Sequence, residues 1–117
     1  LTEHAGVRGV LHAFAANQAF AEAAQALGLR LGMGGPLTYK NAQARRDVAA
    51  RAKPDCLLLE TDCPWLPPAP WRGRRNEPAY VVLVAQALAA VRGVPYDDIA
   101  AATTRNAARL FGLPGLA

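Results

Sequence analysis

Residues 56–65 have the sequence CLLLETDCPW, an apolar run that ends in two carboxylates and is followed by a proline. A short run of this kind is typical of a buried parallel strand, and the proline stops further strand pairing. Because side chains alternate along a strand, Glu60 and Asp62 are expected on the same side. Ligands gather at the carboxyl ends of strands in α/β proteins. The segment therefore predicts a core strand that opens into a functional site, with a solvated loop after the strand as the alternative.

Two further strand–helix pairs are predicted before this segment. The first strand ends near His12, and Asn17 is a candidate N-cap for the alanine-rich helix that follows. Asn41 is a candidate cap for the second helix, and Cys56 opens the third strand. The predicted order is strand 7–14, helix 17–27, strand 29–33, helix 42–52 and the strand at 56–62. Alternating strands and helices indicate βαβ units and a parallel sheet.

The second half of the chain is predicted to be helical after a long loop at 65–75. Asn76 is a candidate cap for a helix that ends at Gly93, a short helix begins at Tyr96, and a last helix covers Thr104–Phe111. Three strands cannot close a barrel, and a (β/α)₈ barrel typically needs about 250 residues. The pattern therefore predicts three β/α units plus terminal helices, as part of a larger architecture.

The composition is that of a globular protein of at most one domain, with 117 residues and 52% hydrophobic residues. No apolar run approaches the length of a membrane span, and no secretory signal is recognisable, so no membrane partner is expected. A disulfide between Cys56 and Cys63 would double the chain back on itself. Reduced thiols and a cytoplasmic location are therefore predicted. The net charge of +4 permits a polyanionic partner without requiring one.

His12 and Asp62 are the candidate metal ligands. Each lies at the end of a predicted strand, so parallel strands would bring both to one rim. Imidazole and carboxylate groups are common ligands of hydrolytic divalent ions such as Zn²⁺, Mn²⁺ or Mg²⁺. Asp62 is also the candidate catalytic base. For His12, the alternative to metal binding is a purely structural role. Glu60 is expected either to hydrogen-bond to a metal ligand without contacting the metal itself or to pair with an arginine. His4 is expected at the surface.

The loop before the third helix is a candidate phosphate-binding segment. Arginine suits bidentate phosphate binding, and the neighbouring tryptophan offers a stacking face for a base. The candidates for DNA binding are Arg72, Arg74, Arg75 and Lys40. Glu77 is a candidate supporting acid near the same rim, although its place at a helix start is a sufficient explanation. The alternative for the whole loop is a solvated basic segment.

Several blocks of the sequence resemble the TatD family of metal-dependent deoxyribonucleases. The blocks are GVLHAF at 9–14, GGPLTYKN at 34–41, ETDCPWL at 60–66, PWRGRRNEP at 70–78 and TTRNAARLFG at 103–112. The resemblance implies an amidohydrolase-like TIM barrel whose divalent metal centre, with two ions in a full-length parent, hydrolyses DNA phosphodiesters. It also implies that His12 and Asp62 serve the metal site, and that the arginine loop and Glu77 lie by its mouth.

The sequence departs from the family pattern in two ways. We expect the family's His-x-His motif, its metal-bridging glutamate and a further histidine to lie upstream of the residues present here. The chain contains only His4 and His12, so it includes no His-x-His motif. Ala15 and Ala16 stand where the family usually has polar residues. We expect residues 1–117 to be one partial barrel domain, the C-terminal part, without the N-terminal strands and their ligands. The open sheet would then be poorly folded or oligomeric alone, and would pair with the missing half or with itself.

Three functions are compatible with these residues. The first is a divalent-metal-dependent hydrolase of DNA, incomplete as this fragment. The second is a catalytically inactive nucleic-acid-binding fragment that keeps the basic loop but lacks most ligands. The third is another hydrolase of the amidohydrolase superfamily that acts on amides or esters, against which the arginine-rich loop argues mildly.

Overall fold

The computed structural model describes residues 6–115, which form a three-stranded parallel sheet with helices packed against it. The strands are β1 (Val10–Leu11), β2 (Arg30–Met33) and β3 (Leu57–Leu59), in the spatial order β1-β2-β3. Leu31 of the central strand pairs with Leu11 on one side and with Leu57 on the other. The predicted parallel sheet is confirmed. His4 lies outside the described residues.

Four helices surround the sheet: α1 (Gln18–Ala26), α2 (Gln43–Arg51), α3 (Val81–Arg92) and α4 (Tyr96–Phe111). The Asn17 side chain accepts a hydrogen bond from the Phe20 amide, which confirms it as the cap of α1. Gly93 and Gly112 end α3 and α4 in the left-handed conformation, with φ of 66° at each. Only glycine adopts that conformation without strain, so both helix ends are encoded locally.

The strands are shorter than predicted. β1 contains two residues rather than eight, and Cys56 belongs to a 3₁₀ turn at Pro54–Cys56 that precedes β3. His12 directly follows β1, and Glu60 directly follows β3, where its amide still donates to the Met33 carbonyl. Both side chains therefore remain at the carboxyl end of the sheet, as the prediction requires.

Two predicted helix caps are wrong. The cap position of α2 is Ala42 rather than Asn41, because the Ala42 amide donates to the Tyr39 carbonyl in a turn that delays the helix. Asn76 does not cap α3, which begins at Val81 after a 3₁₀ turn. The buried Asn76 side chain instead donates to the carbonyls of Trp65 and Leu66 and thereby holds the long loop.

The chain after Tyr96 forms one helix, not the two that were predicted. Thr103 lies in its middle and is buried, and its hydroxyl donates to the Ile99 carbonyl one turn earlier. This hydrogen bond satisfies the hydroxyl inside the helix, so the pair of threonines does not interrupt it. Asn106 of the same helix donates to the carbonyls of Pro54 and Leu57. That contact ties α4 to the start of β3.

The core lies between the sheet and the helices and is built mainly from aliphatic side chains. Its largest fully buried members are Leu31, Leu37, Leu57, Val84, Leu88 and Pro68. Arg92 of α3 donates to the carbonyls of Ala49, Ala50 and Ala52 at the end of α2. The guanidinium group thereby satisfies carbonyls that a helix end leaves without partners, and joins the two helices.

Two further observations concern thiols and membrane spans. Both cysteines are free; Cys56 is buried and Cys63 is exposed. Burial raises the pKa of the Cys56 thiol, and the neighbouring Asp55 carboxylate acts in the same direction. Within residues 6–115, no single helix has both the length and the apolarity to cross a membrane. Only α3 with its preceding turn and α4, taken together and bent by 112°, pass such a test.

Candidate active site

A cavity of about 300 Å³ opens where the three strands end. Its walls include residues that follow each strand, so the sheet itself brings them together. The charged and phenolic groups that line it are Tyr39, Arg45, Glu60, Asp62 and Arg72. The volume is at the lower end of the range for small-molecule sites, about 300–1,000 Å³. The cavity therefore has room for a ligand of about the size of one nucleotide unit.

Glu60 joins the two outer strands across the central one. One of its carboxylate oxygens lies 2.9 Å from Nδ1 of His12, and the other accepts a hydrogen bond from the Ala13 amide. Ala13 has φ of 50°, a left-handed conformation that is uncommon for residues other than glycine. The carboxylate thus fixes both the imidazole ring and the backbone beside it. Glu60 pairs with a histidine rather than with an arginine.

Gly32 makes this arrangement possible. It occupies β2, directly beneath the Glu60 side chain, and a Cβ atom there would overlap the Glu60 carboxylate. Any other residue at this position would displace Glu60 from His12 and Ala13. Our sequence reasoning did not single out Gly32, although a glycine inside a strand is a known sign of close approach by another group.

The contact with Glu60 determines which nitrogen of His12 faces the cavity rim. An ionised carboxylate has no proton to give, so Nδ1 donates and Nε2 keeps its lone pair. Nε2 lies 3.9 Å from the nearer carboxylate oxygen of Asp62. The hydrogen bond to Glu60 and the negative charges of Glu60 and Asp62 raise the pKa of His12 above its usual value, against a smaller opposing effect of burial. The side chains of His12 and Asp62 are 60% and 46% exposed, so solvent and ligands reach both.

These two donors lie just within reach of one divalent ion. Ligands on opposite sides of one ion are about 4.2 Å apart when each bond is about 2.1 Å long, and adjacent ligands are closer; the observed separation of His12 Nε2 and Asp62 Oδ1 is 3.9 Å. Within residues 6–115, no group of three or more His, Cys, Asp and Glu side chains is close enough to hold a metal ion. Mg²⁺ is commonly held by one or two carboxylates, with water and phosphate oxygens completing its shell. The pair therefore suits an ion that shares its coordination with water and substrate.

Two guanidinium groups also line the cavity. Arg72 lies over the ring of Tyr39, 3.9 Å from its centroid, and the Tyr39 hydroxyl donates to the Pro67 carbonyl. Arg45, from the first turn of α2, lines the same cavity. Arg45 was not predicted as a site residue, because it lies inside a predicted helix and belongs to no motif. Only the fold brings it to the cavity that Arg72 lines.

The remaining candidate residues lie outside the cavity. Arg74 is 5.9 Å from the ring centroid of Trp71, which in turn stacks on Tyr80 at 5.7 Å. The other exposed candidates that do not line the cavity are Arg75, Lys40 and Glu77. Their assigned roles in binding DNA or supporting the site stay predictions. The three arginines of the loop thus separate into one cavity residue and two outward-facing ones.

Comparison with known proteins identifies the family of this chain. The sequence model of the family described as "TatD related DNase" matches residues 1–112. The chain belongs to the TatD-related DNase family. Among its relatives, YabD of Bacillus subtilis (strain 168), described as an uncharacterized metal-dependent hydrolase, is 43% identical over 105 residues, which are 90% of this chain and 41% of that protein. TatD of Erwinia amylovora, described as a 3'-5' ssDNA/RNA exonuclease, is 40% identical over an alignment of 109 residues, and the match covers 89% of this chain and 42% of that protein.

Solved structures of the TatD family share the fold. The crystal structure of the Escherichia coli TatD homologue YjjV matches with a TM-score of 0.84 and 39% identity, over 91% of this chain and 41% of that one. A TatD-family hydrolase from Entamoeba histolytica, at 17% identity, matches with a TM-score of 0.79 over 92% of this chain and 43% of that one. The three β/α units therefore have the architecture of a TatD-type, amidohydrolase-like TIM barrel. The chain spans about two fifths of the length of the curated relatives that it matches.

Proposed function

We propose that this protein is a divalent-metal-dependent hydrolase of DNA phosphodiester bonds. The observation that carries the proposal is the cavity of about 300 Å³, which is lined by Asp62 and by two guanidinium groups, with His12 Nε2 3.9 Å from Asp62. The imidazole and carboxylate suit a divalent ion, and the guanidinium groups suit a phosphate. The description of the Erwinia amylovora relative as a 3'-5' ssDNA/RNA exonuclease supports a nucleic-acid substrate.

Each residue of the site has a proposed task. His12, through Nε2, and Asp62 would hold the divalent ion, which is Mg²⁺, Mn²⁺ or Zn²⁺; when bound, such an ion supplies Lewis-acid activation of the phosphodiester and of water. Asp62 is also the group that accepts a proton from the attacking water. Glu60 orients His12 and keeps its proton on Nδ1. Arg72 binds the non-bridging phosphate oxygens and offsets their negative charge.

The proposal is tested by cleavage of single-stranded DNA. The full-length parent of residues 1–117 is incubated with end-labelled DNA and Mn²⁺ or Mg²⁺, and Asp62→Asn is compared with Asp47→Asn. Both variants lose one carboxylate, but Asp47 lies on the exposed face of α2 outside the cavity. We expect metal-dependent cleavage that Asp62→Asn lowers by at least about 100-fold, since this removes a metal ligand or proton acceptor, and that Asp47→Asn leaves unchanged. Equal rates in the two variants would contradict the role given to Asp62.

A second candidate function is nucleic-acid binding without cleavage. It is favoured by the finding that residues 6–115 bring no more than a pair of metal-binding side chains together. The loop at 65–75, by contrast, carries all three candidate phosphate-binding arginines. The same preparations distinguish the two functions when binding is measured at several salt concentrations. Steeply salt-dependent DNA binding without metal-dependent cleavage would favour this second function.

A further inference from the structure

The arginines of this chain differ in how their N–H groups are used. Arg46 donates to the carbonyls of Leu37, Tyr39 and Lys40, and Arg92 donates to three carbonyls at the end of α2. Arg45 and Arg72, by contrast, form no hydrogen bond or ion pair with any group in residues 6–115, although both line the cavity. Their donors therefore remain available to a ligand.

Tyr39 contacts Arg72 and lines the same cavity as Arg45. Arg72 makes a cation–π contact with Tyr39, 3.9 Å from the ring centroid, and donates no hydrogen bond within residues 6–115. Burial raises the pKa of Tyr39, and the positive charges of Arg72 and Arg45 act in the opposite direction, so both charges lie near the same phenol. Two like charges at one phenol repel each other, and an anion between them would relieve that repulsion.

The carboxylates of the same cavity form no ion pair with Arg45 or Arg72 in the described part of the chain. Glu60 uses both oxygens on His12 and Ala13, and the nearest cationic partner of Asp62 is His12. No carboxylate in the described part of the chain lies within 4.0 Å of either cavity arginine. The cavity thus contains carboxylates and guanidinium groups that do not pair with each other. Its two guanidinium groups are therefore available to an anion from outside the protein.

We infer that Arg45 and Arg72 form a two-arginine clamp for the phosphate of a nucleotide, with Tyr39 positioning Arg72. A phosphate presents several oxygens and accepts hydrogen bonds from both guanidinium groups at once, which a single carboxylate does less well. The inference rests on the proposed function and adds Arg45 to the substrate-binding residues. It also assigns Arg74 and Arg75, which face outward, to no part of this clamp.

The clamp is tested by binding of thymidine 5'-monophosphate in EDTA, so that neither metal nor cleavage enters the result. Arg45→Met is compared with Arg51→Met, which removes the same charge from the exposed last turn of the same helix. Because a charged hydrogen bond contributes about 1.5–3 kcal/mol, Arg45→Met is expected to weaken binding about 10-fold or more, and Arg51→Met less than about 2-fold. Thermal denaturation checks that both variants fold like the wild type.

Several outcomes would overturn the clamp. Equal losses in the two variants would mean that net charge alone attracts the nucleotide, and an unchanged affinity in Arg45→Met would remove Arg45 from the site. Absence of saturable binding at millimolar concentrations, or thymidine binding as tightly as its monophosphate, would also contradict it. If inorganic phosphate binds as tightly as the nucleotide, the assignment to nucleotides is wrong and the clamp serves free phosphate.

The experiments can reject the clamp and the proposed hydrolysis independently of each other. Loss of nucleotide affinity in Arg45→Met, together with absence of metal-dependent cleavage by the wild type, would keep the clamp and reject the hydrolase. Cleavage by the wild type with undiminished nucleotide affinity in Arg45→Met would keep the hydrolase and reject the clamp.

Discussion

Glu60 and the two arginines of the cavity differ in whether their polar groups already have partners within the protein. One oxygen of Glu60 contacts His12 and the other accepts from the Ala13 amide. Arg45 and Arg72 donate to no group in residues 6–115. A side chain whose bonds are complete fixes the position of its neighbours, whereas one with free donors is available to a ligand. The difference separates a residue that builds this site from residues that bind at it.

The same difference distinguishes two neighbours in α2. Arg46 donates to three carbonyls of the segment that carries Tyr39, with distances of 2.6 Å to Tyr39, 3.2 Å to Leu37 and 3.3 Å to Lys40. Arg45 projects into the cavity and makes none of these bonds. Adjacent side chains on a helix point about 100° apart, so one turn of α2 supplies both a structural and a ligand-binding arginine.

The largest expected effect is on stability. Arg46→Met removes the donor for three backbone carbonyls and should lower the free energy of unfolding by about 2–3 kcal/mol, whereas Arg45→Met should change it by less than about 0.5 kcal/mol. Urea denaturation of the two variants measures the difference. A similar loss in both would mean that Arg45 is a structural residue, and the contrast between Arg45 and Arg46 would disappear.

A smaller effect is expected at the contacts of Glu60 with His12 and Ala13. Gly32→Ala would displace the Glu60 carboxylate from His12 and Ala13, and loss of such a supporting contact typically lowers metal affinity about 10- to 100-fold. Mn²⁺ titration measures the affinity, and the NMR signal of the His12 Nδ1–H proton reports the contact with Glu60 directly. Gly9→Ala is the matched control, because a Cβ there would meet only a Leu29 methyl group at 3.8 Å. Unchanged Mn²⁺ affinity and an unchanged proton signal in Gly32→Ala would contradict the account of Glu60.

The parts of this molecule that follow from local sequence were predicted well. The three strands come from short apolar runs with helices between them, and parallel strands necessarily bring His12 and Asp62 to one rim. The end of α3 at Gly93 is likewise encoded by one residue and its conformation.

The parts that depend on distant contacts were not predictable in the same way. Asn76 looks like a helix cap, but its side chain donates hydrogen bonds to carbonyls ten and eleven residues earlier in the loop. The role of Gly32 depends on Glu60, a residue on the next strand, and that of Arg45 depends on how α2 packs beside the loop. A single sequence carries no periodic or spacing signal for such contacts.

The most direct test of the central claim is a crystal structure of the protein with Mn²⁺ and thymidine 5'-monophosphate, in which anomalous scattering locates the ion. The account predicts Mn²⁺ bound by His12 Nε2 and Asp62, with the phosphate of the nucleotide between the guanidinium groups of Arg45 and Arg72. An ion bound elsewhere, or a phosphate held by Arg74 and Arg75 outside the cavity, would contradict it.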